Sequence, residues 1–146
     1  MSVTITPDSF DPEAALKSFR ETTVGAGAIV SFTGIVRHDD NTQSLTLTHY
    51  PGMTENEIST MGQEASRRWD ITAWQVIHRV GEMTPKDPIV FVAAASVHRR
   101  AAFEAADFLM DYLKSRAPLW KKEQTHMGEK WIEPRAQDAQ DILRWD

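Results

Sequence analysis

Two lysines, Lys114 and Lys121, lie on either side of a segment that contains Pro118. A lysine amine is normally charged, but burial or neighbouring cations lower its pKa until it can act as a base or a nucleophile. Because proline disfavours helical geometry at the residue before it, the chain changes direction between the two lysines. We therefore expect both amines to approach one point from different backbone directions and to form an anion site.

A second basic cluster, His98, Arg99 and Arg100, opens the segment that leads to Lys114. It falls where a helix is predicted to begin, and the backbone N–H groups of a helix N-terminus favour a bound anion. An arginine at this position can hold a phosphate through two parallel hydrogen bonds. We expect the Arg99 guanidinium to face one cavity with the two lysines, and Arg37 to join them if their strands are neighbours.

Simpler explanations remain open for each of these features. Lys114 can pair with Asp111 and merely decorate the end of a helix, where positive charge is favoured. The cluster at His98 can be a solvated helix start whose cations require an offsetting anion. Trp120 and Trp131, close to the lysines, can stack on a planar ring, although large aromatic side chains more often pack in a core or an interface.

The composition limits the class of protein. The chain has 146 residues, of which 41% are hydrophobic and 25% charged, with a formal net charge of -5. These values predict one globular domain over residues 1–146, with little general attraction for nucleic acid or anionic lipid. The sequence has no secretory signal and no apolar run long enough to cross a bilayer, so we expect a cytoplasmic protein.

The residue types also restrict the chemistry. The chain has no cysteine. Cysteine nucleophiles and thiolate metal sites are therefore excluded, and any sulfur chemistry would need sulfur brought by a partner. The histidines lack the spacing of zinc ligands and no glycine-rich phosphate loop is present, so we expect neither a metal nor a cofactor.

The elements that must position these residues alternate between helices and strands. The periodicity predicts strands over 28–36, 45–50, 74–80 and 89–97, and a hairpin around Gly128. It predicts one helix that starts at Asp11, a second from Thr54 to about Trp69 and a third from His98 to near Arg116. A short fourth helix is predicted to end at Trp145. The strand over 28–36 is apolar on both faces, which predicts a buried strand ending in Arg37 and His38, and 39–43 is predicted to be a connection.

Together these segments resemble the large, catalytic subunit of molybdopterin synthase. The resemblance runs from about residue 25 to residue 135 without large gaps. Its most specific part is the pair of lysines around Arg116, Ala117, Pro118, Leu119 and Trp120. The matching stretches are 27–37, 47–53, 78–82, 96–99, 103–106 and 110–122, followed by Trp131.

This resemblance implies an α+β fold, an α/β hammerhead with an additional antiparallel β-sheet. It implies a sulfurtransferase of molybdenum-cofactor synthesis that converts cyclic pyranopterin monophosphate into molybdopterin by installing two dithiolene sulfurs. The sulfur donor would be a ubiquitin-like small subunit whose C-terminal glycine carries a thiocarboxylate. Two large subunits would form a central homodimer within a heterotetramer.

Carried over residue by residue, the resemblance places Lys114 where the partner's tail arrives. It gives Lys121 a part in proton transfer or transient carbonyl activation. The remaining substrate-binding positions implied by the resemblance are Arg37, His98, Arg99, Lys122, Glu123 and Arg135. The alternatives from other classes are a noncatalytic module that binds a ubiquitin-like tail or a small phosphate ligand, and a small nucleotide-binding enzyme.

Overall fold

The computed structural model describes residues 1–37 and 41–146, so the predicted positions of His38 and of residues 39 and 40 lie outside the described residues. The strands are β1 Ser2–Thr6, β2 Ala28–Ile35, β3 Thr42–His49, β4 Ile71–Arg79, β5 Gly81–Met83, β6 Pro88–Ser96, β7 Leu119–Thr125 and β8 Gly128–Ile132. The helices are α1 Pro12–Thr22, α2 Met53–Arg68, α3 Arg99–Ser115 and α4 Ala136–Ile142, which continues into a 3-10 turn over Leu143–Trp145. Over these ranges, no helix has the length and apolar character that a membrane crossing requires.

The first sheet has the strand order β1-β4-β6-β2 and is called sheet A. Strand β1, which the sequence pattern did not reveal, pairs in parallel with β4, and the other pairs are antiparallel. The predicted central strand is confirmed, since β6 lies between two neighbours and is buried from Val90 to Ser96. Helices α2 and α3 cover one face of sheet A, and α1 covers the other through Phe19.

Helix α2 lies very close to sheet A. A Cβ atom at Gly62 would lie 2.0 Å from the Trp74 ring, so only glycine allows this approach. Trp74 and Val76 of β4 pack there against Ile58 of α2 and Leu109 of α3, and all four side chains are buried. Burying such side chains stabilises the fold by about 1.5–3 kcal/mol each.

The prediction of a fully buried strand over 28–36 is wrong in one respect. Strand β2 forms with nearly the predicted bounds, but it lies at the edge of sheet A, and among the described strands its one partner is β6. Phe32 is consequently 43% exposed and Ile35 57% exposed. The apolar composition of a strand does not reveal on how many sides it is covered.

The second sheet, called sheet B, is antiparallel and has the order β5-β3-β7-β8. Its buried residues Leu45, Leu47 and Met83 form a small core with Val36. Strand β3 begins at Thr42, inside the stretch predicted to be a connection. Strand β5 lies between the predicted strands 74–80 and 89–97, where the sequence pattern predicts no strand.

The helix ends follow the local chemistry. Asp11 caps α1 as predicted, accepting hydrogen bonds from the backbone N–H groups of Glu13 and Ala14. Helix α2 begins at Met53, one residue earlier than predicted, because Gly52 is its cap and Glu55 Oε1 accepts from the Gly52 N–H at 3.1 Å. Helix α3 ends at Ser115 with Arg116 as its cap, in agreement with the effect expected of Pro118.

Candidate active site

The two lysines meet where sheet B joins the end of α3. Lys114 lies in the last turn of α3 and is exposed, whereas Lys121 lies in β7 directly opposite Leu47 of β3. Residues directly opposite in a sheet point to the same face, so the Lys121 side chain lies on the core side of sheet B. Lys114 acts on the Lys121 amine through charge and hydrogen bonding, so the two amines lie close together.

The pKa of Lys121 is lowered from 10.5 to about 8, most strongly by burial and then by the charge of Lys114 and a hydrogen bond with it. Arg135 acts in the same direction, and Asp138 opposes it. With a pKa of about 8, roughly one-tenth of the Lys121 amines are neutral at pH 7. Lys121 is therefore an amine that can accept a proton or attack a carbonyl near neutral pH.

A buried histidine accompanies the lysines. His78 of β4 is 6% exposed, and its Nδ1–H donates to the Arg79 carbonyl oxygen at 2.9 Å. Its pKa is lowered to about 4, most strongly by burial and further by the charges of Lys121, Lys114 and His49, while the hydrogen bond to Arg79 acts in the opposite direction. His78 is therefore neutral near pH 7, and because a carbonyl only accepts, its Nε2 is left with the free lone pair.

Helix α4 brings an ion pair to the same cluster. Arg135 Nη2 donates to Asp138 Oδ1 at 2.9 Å, and the Asp138 carbonyl oxygen accepts from Ser115 Oγ at 2.9 Å. Ser115 directly follows Lys114, so α4 is attached to the helix end that carries this lysine. Arg135 and Asp138 both act electrostatically on Lys121 of the same chain.

Lys122 and Glu123 point to opposite faces of β7. The Lys122 ammonium lies 5.6 Å from the centre of the Trp131 ring and 3.5 Å from Glu129, on the face away from Lys121. The expectation that Lys122 shares the pocket of Lys121 is therefore wrong within one chain, because successive strand residues alternate. Glu123 is on the same face as Lys121, and its Oε1 accepts from Thr42 Oγ1 at 2.6 Å.

The cluster at His98 lies at the opposite end of α3. His98 caps this helix and Arg99 begins it, sixteen residues before Ser115. With a rise of 1.5 Å per residue, the two ends are about 24 Å apart. The expectation that Arg99 and the lysines face one cavity is thus wrong for a single chain, since an α-helix of this length separates them.

A separate, open cavity of about 450 Å³ lies at the N-terminus of α3, between His98, Arg99, Arg100 and the backbone of Gly27. A Cβ atom at residue 27 would lie 2.4 Å from the Val97 carbonyl oxygen, so glycine is required at this wall. The first turn of α3 contains no acidic residue. The cavity therefore has the cations and the helix N-terminus that an anion requires.

Arg37 lies at the lysine end of sheet A. It follows β2, whose last residue Ile35 pairs with Pro88 at the start of β6. Helix α3 follows the end of β6 and packs back along it, so its last turn returns toward this start. The Val36 N–H donates to the Asp87 carbonyl oxygen at 2.8 Å and fixes the backbone beside Arg37, whose side chain is exposed.

The simpler explanations fail for the lysine segment. Asp111 does not pair with Lys114, because its carboxylate accepts from Arg144 at 2.7 Å and from the Trp145 ring N–H at 2.6 Å. Trp120 and Trp131 are 42% and 60% exposed, so neither lies in the core. Trp120 instead packs edge-to-face on Tyr50, with 4.8 Å between the ring centres.

Sequence reasoning missed His78 and Asp138 as members of the site. His78 does leave a signal, since it is a polar residue in the alternating buried positions Trp74, Val76 and His78 of β4, which Val80 continues directly after the strand. Asp138 leaves none, because a carboxylate in the first turn of a short polar helix is normally a solvated residue that favours the helix dipole.

Comparison with known proteins gives concordant matches. Residues 5–116 match the family described as MoaE protein. A molybdopterin synthase catalytic subunit of Pseudomonas aeruginosa is 43% identical, with 100% of this chain and 99% of the relative covered. The Escherichia coli protein of the same name is 52% identical, with 82% of this chain and 81% of the relative covered.

Among solved structures, molybdopterin cofactor biosynthesis protein E from Burkholderia multivorans has a TM-score of 0.84 and 41% identity. The match covers 99% of this chain and 95% of that chain. The expected α+β class, with an antiparallel sheet beside the first sheet, is confirmed.

Proposed function

Because the chain belongs to the MoaE family, we propose that it is the catalytic subunit of a molybdopterin synthase. It is a sulfurtransferase that takes part in molybdenum-cofactor biosynthesis. Its substrate is cyclic pyranopterin monophosphate, and it works in the cytoplasm. The observation that carries this proposal is the convergence of Lys114 and Lys121, at a place where burial and the neighbouring Lys114 together lower the Lys121 pKa to about 8.

The sulfur donor is a ubiquitin-like small subunit with a C-terminal thiocarboxylate. Lys114 is exposed at the end of α3 and carries a charge opposite to that of the thiocarboxylate, which supports its part in receiving the tail. Lys121 lies deeper and holds its proton less tightly, which supports its part in proton transfer or in transient activation of the donor's carbonyl group. In this proposal Lys114 binds the tail and Lys121 takes part in the reaction.

The substrate phosphate is held by arginines and by the start of a helix. A guanidinium keeps its proton at all physiological pH values, so it anchors an anion without competing for the proton that moves. Arg37 and Arg135 lie near the end of α3 that carries Lys114. His98 and Arg99 lie at its other end, about 24 Å away. One chain therefore does not bring all the proposed phosphate ligands together.

Two copies of the chain complete the site in this proposal. The exposed edge of β2, with Phe32 and Ile35 partly uncovered, supports contact between copies, since an unpaired apolar strand edge is normally covered. In the homodimer, the second copy's His98 and Arg99 face the lysine pair of the first. Each end of the dimer then binds one small subunit, which gives a heterotetramer.

The decisive experiment combines this chain with a thiocarboxylated small subunit and cyclic pyranopterin monophosphate, and follows dithiolene formation. We expect wild-type turnover, and a loss of at least about 100-fold in Lys121→Ala, the size typical of removing a proton-transfer group. Small-subunit binding should persist in this variant. Lys17→Ala, an exposed lysine of α1, serves as the control and should remain active.

The outcomes separate the rival functions. Turnover that survives Lys121→Ala removes Lys121 from the chemistry. Binding of the small subunit without any wild-type turnover indicates a noncatalytic module. Competition for the site by nucleotides rather than by the pterin phosphate indicates a nucleotide-binding enzyme.

A further inference from the structure

More cations than anions act on the Lys121 amine. Of the charged side chains that shift the pKa of Lys121 in the described chain, Lys114 and Arg135 are cations and Asp138 is an anion. Asp138 lies in α4, outside the segment 5–116 that matches the family. Neither the sequence pattern nor the family match assigns it a part in the reaction.

Asp138 is buried, which is unusual for a carboxylate. It is 8% exposed, whereas its partner Arg135 has a side chain that is 68% exposed. A buried carboxylate is costly unless it is paired, and the 2.9 Å contact with the Arg135 guanidinium supplies that pairing. The charge of Asp138 is also weakly screened, because little water surrounds it.

The position of this carboxylate is fixed relative to the lysines. The Asp138 carbonyl oxygen accepts from Ser115 Oγ at 2.9 Å, and its N–H donates to the Arg135 carbonyl oxygen at 3.0 Å. These two bonds hold the first turn of α4 against the end of α3, next to Lys114. A buried negative charge is therefore held beside the amines.

We propose that Asp138 is a positioning residue for sulfur transfer, which holds the Arg135 guanidinium and supplies the negative charge that balances Lys114 and Lys121. This inference rests on the proposed function of the lysine pair. Its physical basis is that a carboxylate stabilises the protonated form of a nearby amine. Asp138 thus limits how far burial and neighbouring cations drive Lys121 toward its neutral form.

The groups facing Lys121 come from several elements. Lys114 faces it from α3 and Arg135 from α4, and both disfavour its protonated form. His78 of β4 is neutral near pH 7, and the charges of Lys121, Lys114 and His49 disfavour its protonated form. In the described chain, Asp138 is the anion that acts in the opposite direction.

The test compares charge with shape at residue 138. Asp138→Asn keeps the shape and an oxygen that can accept from Arg135, but it removes the charge. Asp138→Glu keeps the charge but adds a methylene group to a buried position. Asp107→Asn is the control, because Asp107 is a half-exposed residue of α3 that pairs with Arg144.

Two measurements are made on each variant. The first is the pH dependence of turnover with the thiocarboxylated small subunit, and the second is the Lys121 pKa from NMR of isotopically labelled lysine. We expect Asp138→Asn to lower the Lys121 pKa by about 0.5–1 pH unit and to shift the acidic limb of the turnover profile to lower pH by the same amount. Asp138→Glu and Asp107→Asn should leave both near the wild-type values.

The outcomes are distinct. An unchanged Lys121 pKa in folded Asp138→Asn overturns the inference, and so does a larger loss of turnover in Asp138→Glu than in Asp138→Asn, which would indicate packing alone. Thermal unfolding of each variant verifies that it is folded. If the wild type shows no turnover, the proposed function fails, while the NMR titration still decides whether Asp138 balances the lysine charges.

Discussion

At Lys121, burial weakens the hold of the amine on its proton more than any single neighbouring charge does. Burial lowers the Lys121 pKa in the chain by itself, without a bound partner. The arginines of the proposed site keep their charge throughout, so they can anchor a phosphate while a lysine gives up or takes a proton. The chemistry and the anchoring are therefore assigned to different residue types.

His78 predicts how stability depends on pH. Its folded-state pKa of about 4 lies below the ordinary value of 6.5, so between these values the unfolded chain binds a proton that the folded chain does not. Stability contributed by neutral His78 is complete above pH 6.5 and is lost as the pH falls toward 4. We expect the wild type to lose about 2–3 kcal/mol more unfolding free energy between pH 7 and pH 4.5 than His78→Gln does.

Urea denaturation at both pH values measures this difference. The carboxylates titrate in both proteins, so their contributions cancel in the comparison. The same loss of stability in both proteins would show that His78 is protonated in the folded state at pH 4.5.

At this scale, the sequence predicts the lysine pair because a proline and two lysines within eight residues form a local pattern. His78 and Asp138 are different, since their importance comes from burial and from neighbours on other elements. A histidine in a strand and an aspartate in a short helix have many uses, and tertiary contacts decide among them. No local pattern can supply those contacts.

Among the elements, the start of α2 is tied to the start of β7 through one side chain. Thr54 is fully buried, and its Oγ1 accepts from the Tyr50 N–H and donates to the Pro118 carbonyl oxygen, both at 3.0 Å. Pro118 belongs to the segment that carries the chain from Lys114 to Lys121. Thr54 therefore helps to determine where β7 begins.

Replacing Thr54 by valine keeps the shape and removes both hydrogen bonds. We expect Thr54→Val to lower the free energy of unfolding by about 1–3 kcal/mol, because two part-buried bonds are lost and the Tyr50 N–H and the Pro118 carbonyl oxygen lose their partner. Turnover should also fall, since β7 carries Lys121. Chemical denaturation and the sulfur-transfer assay measure the two effects.

Thr60→Val is the matched control, because Thr60 is an exposed residue of α2 whose Oγ1 donates to the Asn56 carbonyl oxygen. It should change stability by less than about 0.5 kcal/mol. Equal effects of the two substitutions would mean that the bonds of Thr54 do not tie the elements together.

The elements themselves are largely predictable. Helix α3 follows from its wide apolar face and from Pro118, and both its ends lie within one residue of the prediction. Strand β1 was missed because its parallel pairing with β4 depends on residues about seventy positions away. The position of β2 at an edge and the existence of β5 likewise depend on partner strands rather than on local composition.

For the whole molecule, the length of α3 makes the proposed site a property of two copies. Lys121→Ala and Arg99→Ala would then disable different parts of each site. After the two inactive variants are refolded together in equal amounts, half of the dimers are mixed, and one of the two sites in each mixed dimer is intact. We expect about one quarter of wild-type activity to return.

The control mixes Lys121→Ala with Lys114→Ala. These residues lie at the same end of one chain, so every site in a mixed dimer remains defective and activity should stay lost. Native mass spectrometry establishes that mixed dimers form. If they form in the first mixture without any recovery of activity, Arg99 does not act across copies.

The strand order of sheet A also has a consequence for biosynthesis. Each pairing in this sheet includes β4 or β6, so the described residues before β4, 1–37 and 41–70, contain no two strands that pair with each other there. During translation, β1 and the apolar β2 are synthesised well before the strands with which they pair. The partner of β2 is complete only when residue 96 has left the ribosome. Such long-range pairing slows folding and leaves the nascent strand open to aggregation, which makes the first half of this polypeptide a natural client for ribosome-associated chaperones.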